Sequence, residues 1–353
     1  MSRSRSAGSQ SDRNKQQNSK QAKIWSTVVF FVIAIAFAVR LFGGPDLFAW
    51  FAGETSSQTS STTISTDNNL SQKTDPSSSI KTDSAPGKEM KVHFLDVGQA
   101  DCIVVQLPDG KTMVIDAGNN GDGKLVVNYL KNLEITKIDY LIGTHPHEDH
   151  IGGLDNVIKA FSIGTLYLPK VSEKLTPTTA TYRDVLSAVE EKNLKIKTAK
   201  AGIVLFEDST LELKAEMLSP NASAEYSDLN NYSAVIRLTY GNKSFLFTGD
   251  AEEEAEKIML NSGAALSADV LKLGHHGSSS SSSNAFLDAV SPKYAVISCE
   301  TGNDYGHPHK ETLQKMKDRS IEIFRTDTQQ TIIATCDGAS VSFITNQPSC
   351  NKK

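Results

Sequence analysis

The sequence predicts an α+β protein in which two β-sheets pack face to face with helices outside, behind a membrane anchor and a polar tether. Three observations point there. From Lys91 onward, short apolar runs alternate with turn residues and with amphipathic helical segments. Ahead of Lys91 lie one apolar stretch and a long Ser/Thr-rich segment. Seven of the eight histidines fall in three clusters.

Residues 1–23 are polar and rich in Ser, Gln, Lys and Arg, the composition of a disordered tail. Ile24 to Phe42 is apolar except for Ser26, Thr27 and Arg40. At a rise of about 1.5 Å per residue it nearly matches a hydrocarbon core of about 30 Å, and Arg40 is placed to snorkel to the headgroups. Arg3, Arg5, Arg13, Lys15, Lys20 and Lys23 precede this span against Asp12 alone. The positive-inside rule therefore puts the N-terminus in the cytoplasm and the rest of the chain outside the cell. Ala36-Phe37-Ala38 has the look of a signal-peptide cleavage site but lies within the apolar run, so an uncleaved single-pass anchor is expected. Residues 43–88 form a linker, dominated from position 54 by Ser, Thr, Asp, Gln and Lys. A main domain follows at 89–346, with a short tail at 347–353.

The net charge of −5 hides a split. From residue 89 onward there are 26 basic and 35 acidic side chains, a net of −9. No Lys/Arg cluster marks this part of the chain, which argues against extended DNA binding. The four cysteines, Cys102, Cys299, Cys336 and Cys350, form no C-x-x-C pair, so a Cys-rich zinc finger is not expected. Outside the cell, Cys336 and Cys350 could close a C-terminal loop; four unlinked thiols are the alternative.

In order, Lys91–Val97, Cys102–Leu107 and Thr112–Ile115 read as strands, the last two separated by the turn Pro108-Asp109-Gly110. Lys124–Leu133 is amphipathic and helical, and Tyr140–Gly143 is a strand running into the first histidine cluster. Ile151–Phe161 and Arg183–Glu191 read as helices. Ala234–Tyr240 and Ser244–Phe247 pair as a hairpin across Gly241-Asn242. Ala251–Leu260 is a helix with Glu252, Glu253 and Glu254 in its first turn, where the macrodipole favours acids. Strand and helix then alternate through Val270–Leu273, Phe286–Ala289, Ala295–Ser298 and His309–Lys317, and Thr331–Thr335 and Val341–Ile344 close the domain.

The chemistry centres on Thr144-His145-Pro146-His147-Glu148-Asp149-His150, followed by Ile151-Gly152-Gly153. Imidazole and carboxylate together suit borderline divalent cations such as Zn²⁺, with Mn²⁺ also compatible. Three His and one Asp within six residues, just after an apolar strand, form a loop that can wrap two metals. His93, remote from the clusters, reads as structural. Ser278–Ser283, six serines in a row, reads as a flexible loop beside the site, since nothing supplies a positioned base for a nucleophilic serine.

His145-x-His147-x-Asp149-His150 after an apolar strand resembles the signature loop of the metallo-β-lactamase superfamily. Leu95-Asp96-Val97-Gly98-Gln99 and Ile115-Asp116-Ala117-Gly118 resemble the opening strands of the branch that includes the C-terminal domain of the competence protein ComEC. Phe247-Thr248-Gly249-Asp250 resembles the strand that ends in a metal-bridging aspartate. Leu271-Lys272-Leu273-Gly274-His275-His276-Gly277-Ser278 and Tyr305-Gly306-His307-Pro308 resemble the two late histidine motifs of that branch. The resemblance covers residues 91–345 and implies a four-layer αββα sandwich. It further implies two divalent ions, Zn or Mn. Asp149, His150 and His307 would hold one and His145 and His147 the other, with Asp250 bridging through its two oxygens. Such a pair can bind a hydroxide and stabilise charge on the attacked group, and Asp149 belongs to the catalytic set for that reason. His275, or His276, would protonate the leaving oxygen, with His275 the preferred residue. Two departures stand out. His147 occupies a position where the competence branch usually has Asp, and the superfamily's third-motif histidine is missing, with Asn230-Asn231-Tyr232-Ser233 in that region.

These features imply a membrane-anchored extracellular phosphodiesterase or nuclease-like enzyme, whose substrate is a small or polymeric phosphodiester such as a nucleic acid or cell-wall polymer. No protein partner is implied. Two other classes compete. A lactone or amide hydrolase of the β-lactamase kind would be expected to keep the third-motif histidine. A non-catalytic surface module would have no reason to keep six matched ligands.

Overall fold

A computed structural model of the chain describes residues 89–347. The expected tail, anchor and linker at 1–88, residues 348–353 and hence the Cys336–Cys350 pairing lie outside the described residues. Among the described residues no helix is long and apolar enough to cross a membrane, and Cys102, Cys299 and Cys336 are buried free thiols.

The strands in chain order are β1 (Met90–Phe94), β2 (Ile103–Gln106), β3 (Thr112–Ile115), β4 (Lys137–Ile142), β5 (Ser162–Pro169), β6 (Ile196–Ala199), β7 (Val204–Asp208) and β8 (Leu213–Ser219). They continue as β9 (Val235–Tyr240), β10 (Lys243–Phe247), β11 (Val270–Lys272), β12 (Tyr294–Ile297), β13 (Glu322–Arg325), β14 (Thr331–Cys336) and β15 (Val341–Gln347). The α-helices are α1 (Gly123–Asn132), α2 (Glu148–Ile151), α3 (Leu154–Ala160), α4 (Ala180–Glu191), α5 (Glu253–Asn261), α6 (Asn284–Val290), α7 (Lys310–Asp318) and α8 (Thr326–Gln329).

One sheet has the order β15-β14-β1-β2-β3-β4-β5-β6 and the other β13-β12-β11-β10-β9-β8-β7. In each, an antiparallel half meets a parallel half: β3, β4, β5 and β6 run parallel in the first sheet, and β10 to β13 in the second. Alternation decides which side chains meet between the sheets. Met90, Val92 and Phe94 of β1 and Leu213, Ala215 and Met217 of β8 point into one core with Phe245, Phe247 and Val296. Each fully buried side chain of this size contributes on the order of 1.5–3 kcal/mol. Residues of opposite parity cover the outer faces. Val104, Val114 and Leu141 pack against Leu130, Leu154 and Val185 of α1, α3 and α4. Leu246, Leu271 and Ala295 pack against Met259, Leu287 and Met316 of α5, α6 and α7. The layer order is therefore helix, sheet, sheet, helix.

The β9–β10 hairpin turns at Gly241-Asn242 as expected, with Tyr240 opposite Lys243. The helix expected over Ile151–Phe161 is instead two pieces, α2 and α3, broken at Gly152-Gly153. Both glycines are required by close approach: a Cβ on Gly152 would collide with the backbone of Asn119 and Asn120, and one on Gly153 with the carbonyl of Ala117. The break turns His150 under the chain that carries Asp116, and its carbonyl accepts from Ala117 N (2.8 Å).

Candidate metal centre

The site gathers where strands from both sheets end. β4 runs into His145 and His147, β10 into Asp250, β11 into His275 and His276, and the segment after β12 carries His307. Oxygen and nitrogen donors of Asp149, His150, Asp250 and His276 lie within 4.8 Å of one another, and all but Asp149 are buried. His150 Nε2 is 3.1 Å from Asp250 Oδ1. His276 Nε2 is 3.2 Å from Asp149 Oδ2 and 3.7 Å from Asp250 Oδ2.

The second ring nitrogens fix the tautomers. His150 Nδ1 donates to Asp116 Oδ2 (2.8 Å), and His276 Nδ1 donates to the Ser298 carbonyl (2.9 Å). Both imidazoles therefore turn the lone pair of Nε2 toward carboxylate oxygens. His150 Nε2 and Asp250 Oδ1 are sealed from solvent and have no hydrogen-bond partner. Two buried lone-pair donors left facing each other are costly, and a cation between them removes the cost. The donor set of two imidazoles and two carboxylates thus fits a borderline divalent ion. Asp116, which also accepts from Thr144 N and Thr144 Oγ1 (2.7 Å each), orients His150 as metal-binding histidines are commonly oriented from behind.

The field of the site draws positive charge. Burial disfavours a charged His150, but Asp250, Asp116 and Asp149 outweigh it and hold the imidazole well above the ordinary histidine range; Nε2 meets that demand for positive charge either as N–H or, through its lone pair, with a cation. Burial pushes the Asp250 carboxyl up, and His150 and His276 more than reverse that, leaving it well below the usual carboxylate range.

His145 lies beside the group, its Nε2 3.9 Å from Asp250 Oδ2 and 3.0 Å from His147 Nδ1. Burial, then the neighbouring His150, keep it well below its ordinary range, that is, neutral. His275 Nε2 is 3.8 Å from Asp250 Oδ2, and its Nδ1 donates to Glu252 Oε1 (3.1 Å). Burial lowers the His275 imidazole, and Glu252 and Asp250 raise it further than burial lowers it. A cavity of about 350 Å³ opens over these groups, lined by Gln99, His147, Glu148, Asp149, Asn230, Asp250, His275, His276, Tyr305 and His307.

The grouping differs from the one implied by sequence at one position. His276, read as the alternative proton donor, is the late histidine grouped with Asp149, His150 and Asp250. His307, read as a ligand of that ion, lies outside the group and lines the cavity with Nδ1 3.3 Å from Gln99 Nε2. Its pKa is lowered to about 4 by burial and by His275, His276 and His309. His275 and His276 both adopt left-handed conformations (φ +49° and +52°), uncommon for non-glycine residues; the His276 ring reaches Asp149, whereas the His275 ring is held by Glu252.

His93 is structural, bonded through Nδ1 to Tyr129 Oη (2.8 Å) and Nε2 to Gln106 Oε1 (3.1 Å). The serine run is not a flexible loop. Ser281 and Ser282 are buried, Ser281 Oγ donates to the Ala251 carbonyl (2.9 Å), and Ser282 N and Ser283 N donate to Glu256 (2.6 and 2.9 Å). Sequence reading also missed Lys272, fully buried on β11, whose Nζ donates to Asp101 Oδ2 at 2.6 Å. Asp101 N in turn donates to the Asp149 carbonyl (3.0 Å), so this pair underlies the centre. A lysine inside an apolar strand pattern was the available signal.

The sequence matches the metallo-beta-lactamase superfamily over residues 95–301. It is 34% identical over 69% of its length to "ComE operon protein 3" of Bacillus subtilis (strain 168), covering 33% of that protein. It is 28% identical over 70% of its length to "Competence protein ComA" of Neisseria gonorrhoeae, again covering 33%. It is 29% identical over 64% of its length to "Recombination protein 2" of Haemophilus influenzae, covering 26%. The chain thus spans a third or less of the length of these relatives. With the αββα layering and the His/Asp centre, the match shows that the chain belongs to the metallo-β-lactamase superfamily.

Proposed function

We propose that this chain is a membrane-anchored phosphodiester hydrolase that faces the outside of the cell and works with divalent metal. The observation that carries the reading is the sealed, unpartnered pair His150 Nε2 and Asp250 Oδ1 within a set of four converging donors. Asp149, His150, Asp250 and His276 would hold one ion, with His276 in the place first given to His307. His145 and His147 would hold a second, sharing Asp250. When bound, Zn²⁺ or Mn²⁺ supplies Lewis acidity and an activated water at neutral pH.

The chain's own residues do the rest. The protonated His275 ring presents Nε2–H to the cavity and gives that proton to the leaving oxygen, keeping its Nδ1–H hydrogen-bonded to Glu252. Asn230 and Gln99 offer amide groups to the substrate from the cavity wall. The names of the competence and recombination relatives, and Asn230 in the region of the third-motif histidine, support phosphodiester over lactone or amide chemistry. A neighbouring cavity of about 530 Å³ shares Gln99, Glu148, Asp149 and Tyr305 with the first and adds Asp122 and Glu300. Those carboxylates repel a polyanion laid along them, so a compact phosphodiester or a strand end fits better than a long duplex.

The test is a substrate panel under Zn²⁺ and Mn²⁺: bis-p-nitrophenyl phosphate, single-stranded DNA, a lactone and a cephalosporin. Metal-dependent turnover of the phosphodiesters, and not of the other two, is expected. Faster turnover of the lactone or the cephalosporin overturns the proposal.

A further inference from the structure

We infer that Glu252 is the positioning residue for His275, in a cradle completed by Ser280; the reaction it serves is the phosphodiester hydrolysis proposed above. Glu252 Oε1 accepts from His275 Nδ1 at 3.1 Å and from Ser280 Oγ at 2.7 Å, and Ser280 Oγ lies 3.4 Å from the same ring nitrogen. Glu252 can only accept when ionised, so the Nδ1 proton stays on its side of the ring and Nε2 faces the cavity.

Both arms of the cradle are themselves fixed. Glu252 N donates to Asn231 Oδ1 (3.1 Å), and Glu253 N donates to the Ser280 carbonyl (3.0 Å). His275 needs this support because its left-handed backbone carries a strained conformation that does not by itself select a ring orientation. Glu252 does not line the cavity that His275 lines, so it acts through the histidine rather than on substrate. The Asp116–His150 bond is the same device on the metal side. Ser280 thereby gives the serine run a purpose that its sequence did not disclose.

The test uses the full chain loaded with Zn²⁺ and two substrates: a dinucleotide, whose leaving group is an alkoxide, and bis-p-nitrophenyl phosphate, whose leaving group needs no proton. Glu252→Ala is expected to lower kcat on the dinucleotide by about 10–100-fold, at least about tenfold more than on the nitrophenyl ester. KM and bound zinc should hold, and Glu252→Gln should recover part of the loss. In a His275→Ala background, Glu252→Ala should add nothing. Equal losses on both substrates, loss of zinc, or a loss that adds to that of His275→Ala would overturn the inference. Imidazole ¹⁵N NMR separates it from the functional reading. With the ring neutral, Glu252→Ala should shift His275 from the Nδ1–H tautomer to a mixture of the two tautomers. An unchanged spectrum overturns the positioning role, whereas a changed spectrum with no phosphodiester turnover by the parent protein overturns only the phosphodiesterase reading.

Discussion

Replacing Lys272 by Met should destabilise the protein more than any surface change, because it strands a carboxylate in the interior. Lys272 is fully buried, Asp101 is 1% exposed, and the two meet at 2.6 Å. Asp101 Oδ1 has no hydrogen-bond partner and His276 Nδ1 comes no closer than 3.6 Å, so Lys272 carries most of the compensation. Removing one member of such a pair costs about 3–5 kcal/mol, most of it the price of the charge left behind. At about 2–4 °C per kcal/mol for a domain of this size, the melting temperature should fall by about 6–20 °C. Because bound metal adds its own stabilisation, circular-dichroism melts must be run at fixed metal concentration. Lys272→Met with Asp101→Asn should recover much of the loss, giving a coupling energy on the order of 3 kcal/mol. A single variant within about 1 kcal/mol of the parent, or a double variant whose effects simply add, would refute the reasoning.

His93 should make stability pH-dependent. Burial, opposed by its bond to Gln106, lowers its pKa from 6.5 to about 4. The folded value lies below the unfolded one, so this stability is present above pH 6.5 and is lost as pH falls toward 4. The whole shift is worth about 3 kcal/mol. Urea titrations should show His93→Asn losing about 2–3 kcal/mol less than the parent between pH 7 and 4.5, and parallel losses would count against it. His276→Ala should lose bound metal whereas His307→Ala keeps it, as read by elemental analysis; the reverse pattern would restore the ligand set first implied by sequence. Protease added to intact cells should cut within 43–88 and release the domain, and protection until lysis would reverse the proposed topology.

Much of the centre was legible because its donors sit close together in the chain. Asp149 and His150 come from one loop after one strand, and Asp250 announces itself after an apolar run. That His276 rather than His307 stands beside Asp149, His150 and Asp250 was not legible, because it depends on where the segments after β11 and β12 place each ring rather than on residue type. The support beneath was hidden for a different reason. Asp101 and Lys272 are 171 positions apart, and Asp116 and His150 are 34 apart, so only the sheet packing brings each pair together. Among strands, β1 to β4 and β9 to β12 carry clear apolar patterns. β6 is an edge strand with three of four residues exposed, and β7 is the edge of the other sheet with Leu205 its one buried residue, so each shows too short a buried face to read. β8 alternates fully between buried and half-buried residues and was legible in principle.

If these side chains hold divalent metal, the purified chain should retain it. Elemental analysis of the purified chain, after addition of Zn²⁺ or Mn²⁺ and dialysis, tests it most directly. About one to two ions per chain are expected, falling in Asp250→Ala as that carboxylate is withdrawn. A parent protein that retains no ion with either metal would contradict it.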